Sequence, residues 1–184
     1  MEPLATPVIR RIRPDDGQRM RALRLEALAD TPIAFGELLA DAETHPPEYW
    51  SSRAAARAEG STACMFVAEV AEVAEVDGAF VGSANGVAED DRTAVRGVYV
   101  TPAYRGSGLI ELLFAEVAAW SVANGRAELE LDVARQNPRA LAAYERLGFV
   151  LTGKNYQHPL FPDAVEQEMV RPANWSAPAT GTPR

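Results

Sequence analysis

The chain has 184 residues, enough for one domain with a single hydrophobic core, and its 47% apolar and 24% charged residues are typical of a soluble globular protein. A net charge of −8 argues against nucleic-acid binding, which needs a cationic face. No apolar run approaches the roughly 20 residues of a membrane-spanning helix, and the start, MEPLATPVIRRIRP, lacks the apolar segment of a signal peptide. We therefore expect a cytoplasmic protein with no membrane partner.

The first third of the chain is predicted to form one strand and then helices. The segments are a flexible leader at 1–7, a strand at 8–13, a helix up to Thr31-Pro32, a helical pattern over 35–41, and a helix from Pro46-Pro47 to Ala58. Asp15 or Asp16 is positioned to cap the first of these helices, because both precede its apolar stripe.

Strands are predicted next, at 64–70, 79–87 and 93–100. The first contains Cys64, the only cysteine, which we expect to be a buried and inert thiol. Between the first two lies the repeat EVAEVAEVDG, whose period of three fits neither a strand nor a helix and does not indicate a solenoid. Its Asp77-Gly78 pair is typical of a hairpin turn.

The second half continues with alternating helices and strands. The predicted elements are a helix over 109–124, a strand over 127–133, a helix over 138–147, strands at 149–151 and 166–170, and a mobile Pro-, Ala- and Thr-rich tail at 172–184. These segments predict one domain over residues 8–171, built on a mixed α/β sheet with a strand, a loop and a helix at its centre. His45 and His158 lack metal-ligand spacing, so no metal site is predicted.

The loop RGSGLI, residues 105–110, joins the strand ending at Val100 to the clearest helix of the chain. Glycines before a helix leave N–H groups exposed at its positive dipole end, which is an anion site, and Arg105 adds charge. A plain tight turn explains the same glycines equally well. A P-loop is excluded because no Gly-Lys-Ser/Thr follows, and a Rossmann loop because the glycine spacing is wrong.

A second motif, NPRALAAYERLGF at residues 137–149, follows a strand directly. With the glycine loop it resembles the GNAT superfamily of N-acetyltransferases, whose motifs read Arg/Gln-x-x-Gly-x-Gly/Ala and Asn-x-x-Ala-x-x-x-Tyr-x-x-x-Gly-Phe. Arg105 and Gly108 match the first motif. The second is matched at every defined position, and the resemblance covers residues 8–170. It implies a mixed, mainly antiparallel central sheet with a splayed strand pair and flanking helices, and acetyl-CoA as co-substrate without a metal.

The resemblance also implies roles for individual residues. The backbone of Val98, Tyr99 and Val100 would bind the pantetheine arm as an added strand does, and Asn137 would bond the same arm. The pyrophosphate would lie on the N–H groups of the loop and first helical turn, which are Gly106, Ser107, Gly108, Leu109, Ile110 and Glu111. A backbone N–H near Val100 can stabilise the oxyanion of a tetrahedral intermediate. Tyr144 would donate to the thiol that leaves.

Asp132 is the favoured general base, because one branch of the superfamily, the ribosomal-protein alanine N-acetyltransferases, has Glu five residues before the Asn. Glu130 on the same strand face is the second candidate, and a water chain is the third. An ordinary strand carboxylate, paired with Arg135 or Arg139, is an equally good interpretation of Asp132.

Ile110 departs from the family pattern, which has Gly or Ala at that place. Its backbone N–H is retained, so we expect coenzyme A to bind, with its affinity reduced. The side chain would lie either against the pantetheine or in the core beside Phe114.

The acceptor side of such folds is built by the first helices and the last hairpin, here Phe35-Gly36-Glu37, Tyr49-Trp50 and residues 155–163. Aromatic and acidic groups there would suit a cationic amine. The leading hypothesis is acetylation of a small primary amine. The alternatives are a protein N-terminal or lysine acetyltransferase, and a non-catalytic coenzyme A-binding or partner module. A homodimer stays open, and the preference for Arg over Lys with abundant Ala suggests a bacterial source.

Overall fold

The computed structural model describes residues 5–71 and 78–174. Its strands are β1 Val8–Arg11, β2 Ala63–Val70, β3 Ala79–Glu89, β4 Arg92–Val100, β5 Glu128–Ala134, β6 Val150–Gln157 and β7 Val165–Pro172. Its helices are α1 Gly17–Asp30, α2 Leu39–Thr44, α3 Pro47–Ala58, α4 Leu109–Ala123 and α5 Pro138–Arg146, with short 3-10 turns at Pro14–Asp16, Pro32–Ala34 and Pro102–Tyr104. In the part of the chain that the structure describes, no helix combines the length and apolar character needed to cross a membrane.

The strands form one sheet in the order β1-β2-β3-β4-β5-β7-β6. Every neighbouring pair is antiparallel except β4 and β5, which run parallel. Their pairing is short, joining residues 92–94 to 128–130 only. Beyond that point the two strands part, so the splayed pair expected from the family resemblance is confirmed.

A β-bulge lies where β4 leaves β5. Ser83 pairs with Tyr99 and Asn85 with Arg96, so Gly97 and Val98 together oppose the single residue Ala84. Gly97 has φ of +58°, a left-handed conformation that glycine adopts without a steric penalty. Because a bulge bends and twists its strand, it directs the second half of β4 away from β5.

Helices cover both faces of the sheet and enclose two cores. One face is covered by α4 and α5, where the alternation of β5 buries Leu129, Leu131 and Val133 as predicted. The other face is covered by α1 and α3, with Trp50 fully buried against Met65 and Val67 of β2. Cys64 is buried in the first core, and burial raises the pKa of its thiol to about 11, as expected for an inert cysteine.

Asp16 does not cap α1 through its side chain, which corrects one sequence prediction. Its fully buried carboxylate instead forms ion pairs with Arg10 and Arg19 and accepts the Arg13 N–H at 2.8 Å. Burial alone would raise the pKa of Asp16, but these hydrogen bonds and charges lower it below its ordinary value. Glu69 bridges the same two arginines, so the network joins α1 to β1 and β2.

The helical pattern predicted over residues 35–41 is wrong for residues 35–38 and confirmed for residues 39–41. Phe35 is extended, with φ −139° and ψ 145°, and α2 begins only at Leu39. The reason is tertiary, since Phe35 buries its ring in the second core and leaves 5% of its surface exposed. At the other end of the domain, β7 continues to Pro172 and Ala173 is buried. Most of the predicted leader, repeat and tail, including Asp77, lies outside the described residues.

We predict that Gly97→Ala destabilises the fold more than Gly60→Ala does. Both glycines have positive φ, so each substitution costs about 1–2 kcal/mol of backbone strain. At Gly97 the new Cβ would also lie 2.7 Å from Asn85 Nδ2, whereas at Gly60 nothing lies within 4 Å. Moving Asn85 breaks its hydrogen bond to Arg96 O and adds about 1 kcal/mol. Urea denaturation measures the loss in free energy of unfolding for each variant. Equal losses would mean that the close contact between residue 97 and Asn85 does not contribute.

Candidate active site

The parting of β4 from β5 leaves one edge of β4 without a partner strand. Thr101 N–H donates to Val81 O at 3.0 Å, which directs Thr101 towards β3. Because backbone groups alternate along a strand, Val98 and Val100 present their N–H and C=O groups to the gap instead. Arg105 Nε donates to Val100 O at 3.1 Å, which agrees with this direction. The gap therefore offers the backbone of Val98 for an added strand-like partner.

The glycine loop exposes a row of backbone amides beside this gap. Gly106 and Gly108 have φ of +77° and +84°, and a Cβ at either position would meet nothing within 4 Å. Gly108 is the N-cap of α4. Within the described ranges, the N–H groups of Gly106 and of residues 108–111 make no hydrogen bond to the protein. Amides at a helix N-terminus bind anions, so this end of the gap has the geometry of a phosphate site.

Arg105 links the loop to the first helix. Its guanidinium forms an ion pair with Asp30, the last residue of α1, and Arg139 Nη2 lies 3.9 Å from the same carboxylate. Hydrogen bonding to Thr31 and the two arginines lower the pKa of Asp30. The charge of Arg105 is thus partly neutralised within the protein, and the exposed amides are the main attraction for an anion.

A cavity of about 300 Å³ occupies the space between β4, α4 and α5. Its wall includes Val98, Val100, Arg105, Gly106, Gly108, Ile110, Glu111, Asn137 and Tyr144. Ile110 is partly buried against the first core and also lines this cavity, so both positions considered for its side chain apply. Glu111 contributes a buried Oε2 without a hydrogen-bond partner among the described residues.

A second cavity, of about 410 Å³, lies between the sheet and α1 and α3. Phe35, Val98, Tyr99, Asn137 and Tyr144 line both cavities, so the two spaces meet beside α5. A molecule in the gap and a molecule in the larger cavity can therefore approach each other at Tyr144.

Asn137 and Tyr144 are placed by the same short helix. Asn137 is the N-cap of α5, and its Oδ1 accepts the Ala140 N–H at 3.2 Å, which leaves its amide N–H groups free to donate. Two turns later, Tyr144 packs its ring 5.8 Å from Phe114, and no described residue bonds its hydroxyl. Burial raises the pKa of Tyr144 to about 12, so its phenol keeps its proton at neutral pH.

Asp132 lines the larger cavity and has no ion pair or hydrogen bond with a described residue. The two arginines considered as its partners are engaged elsewhere, since Arg135 donates to Asn155 Oδ1 and Arg139 to Thr31 Oγ1. Partial burial and the nearby carboxylates, Glu166 first, raise the pKa of Asp132, while the charge of Arg96 lowers it. A free carboxylate with a raised pKa has the character of a proton acceptor.

Glu130 lies on the same strand face but does not line either cavity. It pairs with Arg92 at 3.1 Å, in the part of β5 that is still joined to β4. Burial raises the pKa of Glu130, and Arg92 opposes that rise. Its place in a closed part of the sheet favours Asp132 over Glu130 as the group that meets a substrate.

Only part of the acceptor wall agrees with the sequence-based prediction. Phe35, Gly36, Glu37, Trp50 and Pro159 line the larger cavity, and the other residues of the range 155–163 do not. Tyr49 points away from it and stacks on His45 at 3.8 Å. His158 is buried and bonds backbone groups, with its Nε2 3.2 Å from Ile33 O. Among residues 5–71 and 78–174, no three His, Cys, Asp or Glu side chains are grouped to hold a metal ion.

Several residues of the cavity wall were not predicted as site residues. They are Arg24, Arg53, Arg57, Asn85, Arg96, Gly97 and Glu166. The sequence contained one usable sign, because Arg53 and Arg57 are spaced to share a face of α3. The others reach the cavity through the sheet register and the bulge, which no local pattern reveals.

Comparison with known proteins agrees with this geometry. Residues 27–149 match the model of the acetyltransferase (GNAT) family. An aminoglycoside N(6')-acetyltransferase type 1 from Stenotrophomonas maltophilia is 30% identical over 164 residues, which is 87% of this chain and 98% of the relative.

Solved structures share the fold. A GNAT-family acetyltransferase from Streptococcus pneumoniae has a TM-score of 0.70 at 21% identity, over 90% of this chain and 98% of that one. A spermidine N-acetyltransferase from Vibrio cholerae, in complex with CoA and spermine, has a TM-score of 0.69 at 16% identity, over 91% and 96%.

Proposed function

The chain belongs to the acetyltransferase (GNAT) family and is an acyltransferase, and from this premise we propose that it transfers an acetyl group from acetyl-CoA to a primary amine of a small molecule. The observation that carries the proposal is the gap between β4 and β5, with free amides at one end and the larger cavity opening beside Tyr144. A thioester in the gap would present its carbonyl carbon where the two cavities meet.

The donor would be held by groups that the fold leaves unbonded. The pantetheine arm lies along β4 and bonds the backbone of Val98, with Asn137 donating from its amide. The pyrophosphate accepts hydrogen bonds from the N–H groups of Gly106 and residues 108–111. Ser107 N–H takes a smaller part, because it already lies 3.4 Å from Tyr104 O. Val100 O is likewise occupied by Arg105, so β4 contributes mainly the Val98 groups and the Val100 N–H.

The reaction joins the amine nitrogen to the thioester carbonyl carbon and then breaks the carbon–sulfur bond. The attacking nitrogen must be neutral and must lose one proton, which Asp132 would accept, directly or through a water. A backbone N–H of β4 near Val100 that the pantetheine arm leaves free would donate to the oxyanion of the tetrahedral intermediate. The sulfur leaves as a thiolate, which solvent then protonates.

Tyr144 would act on the sulfur by hydrogen bonding. A thiol has an ordinary pKa of about 8.5, so full proton transfer from a phenol of pKa about 12 would be unfavourable. A donated hydrogen bond still stabilises the charge that develops on the sulfur. Two observations support this role: no described residue bonds the Tyr144 hydroxyl, and Tyr144 lines both cavities.

A small acceptor is supported by the size of the larger cavity and by the aminoglycoside N-acetyltransferase relative. A volume of about 410 Å³ lies within the usual range of small-molecule sites. Its acidic wall, with Asp132 and Glu166, would attract an ammonium group before deprotonation.

The first test is release of free thiol from acetyl-CoA across a panel of amines that includes hexylamine, spermidine, an aminoglycoside, amino acids and a short peptide. We expect turnover with at least one small amine. Tyr144→Phe should lose about 100-fold in kcat, because one hydrogen-bond donor to the developing charge is removed, with coenzyme A binding kept. Tyr49→Phe, outside both cavities, is the matched control. No thiol release with any amine would contradict acyl transfer, and turnover of the peptide alone would contradict a small acceptor.

The second test concerns Asp132→Asn. An ionised base is available above its pKa, which is raised from the ordinary value of about 3.9 for aspartate. The variant should lose about 100-fold in kcat/KM near neutral pH and approach the wild type as the pH nears the pKa of the free amine, where deprotonation needs no base. An unaltered pH–rate profile would remove Asp132 from the role, and Asp163→Asn, an exposed carboxylate, is the control.

The third test concerns Ile110. Its side chain narrows the donor cavity, so Ile110→Ala should tighten acetyl-CoA binding in calorimetry, while the free energy of unfolding falls because core contacts are lost. Leu112→Ala, on the same helix turn and outside the cavity, should leave the affinity unchanged. Weaker binding by Ile110→Ala would mean that Ile110 supports the loop instead of crowding the ligand.

A further inference from the structure

Two arginines of α3 project into the larger cavity without a carboxylate partner. Arg53 and Arg57 lie four residues apart on one helix face, and both are partly buried and line the cavity. Neither forms an ion pair with any residue in the described ranges 5–71 and 78–174. Arg53 only stacks over the Tyr49 ring, with its guanidinium carbon 5.2 Å from the ring centroid.

The other arginines of the cavity wall are neutralised. Arg24 pairs with Glu37 at 2.8 Å, and Arg96 pairs with Glu89 at 2.7 Å. Arg57 is different, because burial and the charge of Arg53 both lower its pKa. Like charges four residues apart on a helix also repel each other. A bound anion between the two guanidinium groups would offset both the burial of the Arg57 charge and its repulsion by Arg53.

The same part of the cavity has hydrogen-bond donors without acceptors. Arg57 Nε and Trp50 Nε1 are buried and make no hydrogen bond within the described residues. Arg57 donates only from Nη1, to Arg53 O at 3.2 Å. Asn85 Oδ1 is a buried acceptor that is also unbonded. Unbonded donors therefore outnumber unbonded acceptors among these groups. A buried donor without a partner lowers the stability of the folded protein by about 1–3 kcal/mol.

The acidic group of the cavity lies at its other side. Arg57 is on α3, which packs over β2, and Met65 of β2 also lines the cavity. Asp132 is on β5, beyond β4 in the sheet order. β3 and β4 lie between β2 and β5 in the sheet, and β4 has parted from β5 beyond Glu130, so the backbones of β2 and β5 are more than about 10 Å apart at Asp132. The cavity is thus polarised, with a free carboxylate at one side and two free guanidinium groups at the other.

We propose that the acceptor is a small molecule with a primary amine at one end and a carboxylate at the other, separated by a chain of several bonds. The amine lies between Asp132 and Tyr144, and Arg57, with Arg53, binds the carboxylate. A planar guanidinium donates two parallel hydrogen bonds to a carboxylate, which makes this pairing strong and directional. The inference rests on the proposed acetyl transfer and names the class of its acceptor.

The experiment compares 6-aminohexanoate with hexylamine and 1,6-diaminohexane, which have the same chain but no carboxylate. In the wild type we expect 6-aminohexanoate to have a KM at least about tenfold below those of both analogues. In Arg57→Gln that advantage should disappear, through a higher KM for 6-aminohexanoate. Arg57→Lys should recover part of it, because it restores the charge without the planar pair of donors. Arg13→Gln, an exposed arginine, is the control for loss of charge.

Folding is measured separately. Since Arg57 carries an uncompensated charge, Arg57→Gln should keep or raise the free energy of unfolding in urea. A large loss of stability would mean that Arg57 is a structural residue and would overturn the inference. Equal KM values for 6-aminohexanoate and hexylamine in the wild type would overturn it as well.

A binding measurement distinguishes failure of this inference from failure of the proposed function. Calorimetry of 6-aminohexanoate, without any donor, should show binding by the wild type that Arg57→Gln weakens by about tenfold or more. If no amine releases thiol but this binding is observed, acetyl transfer is wrong and the carboxylate site stands. If hexylamine is acetylated but 6-aminohexanoate binds no better to the wild type than to Arg57→Gln, acetyl transfer stands and the carboxylate site is wrong.

Discussion

The parting of β4 from β5 is the constraint on which the rest of the molecule depends. Three residue pairs hold the strands together, and then the bulge at Gly97 directs β4 away. A sheet interior normally satisfies its backbone groups strand to strand, so an unpaired edge in the middle of a sheet is a place for a ligand. The gap opens both cavities, which meet beside Tyr144.

Contacts between segments that are far apart in the chain hold in place the elements that border the gap. Asp30 at the end of α1 binds Arg105 of the glycine loop, 75 residues later in the chain. Asn137 caps α5 at the far rim, which sets the direction of Tyr144 two turns on. Ser83 Oγ donates to Gly97 O at 3.2 Å and steadies the bulge from the neighbouring strand. Each contact joins elements that belong to different parts of the sequence, so the site exists only in the folded chain.

Charge pairing distinguishes structural from functional side chains in this protein. One network of ion pairs joins α1 to the sheet and is formed by Arg10, Arg19, Asp16 and Glu69. Removing one partner from such a buried network would be strongly destabilising, because a buried charge would be left unpaired. Around the larger cavity the pattern differs, because Asp132 at one side and the two arginines of α3 at the other lack partners within the described residues. Unpaired charges in a cavity are expected where a ligand supplies the missing partner.

The sequence by itself determined the local elements and the two motifs of this protein. The alternation of β5, the helical stripe of α4, the glycines of the loop and the Asn-Pro start of α5 are all properties of short segments, which is why their prediction is confirmed. An exception, at residues 35–38, shows the limit, because burial of Phe35 outweighed the helical pattern. Only the tertiary structure decided which charges are paired, as with Glu130 held by Arg92 and Asp132 left free on the same strand face. Ion pairing depends on positions in space, and residues far apart in the chain become neighbours only when the sheet and its bulge have formed.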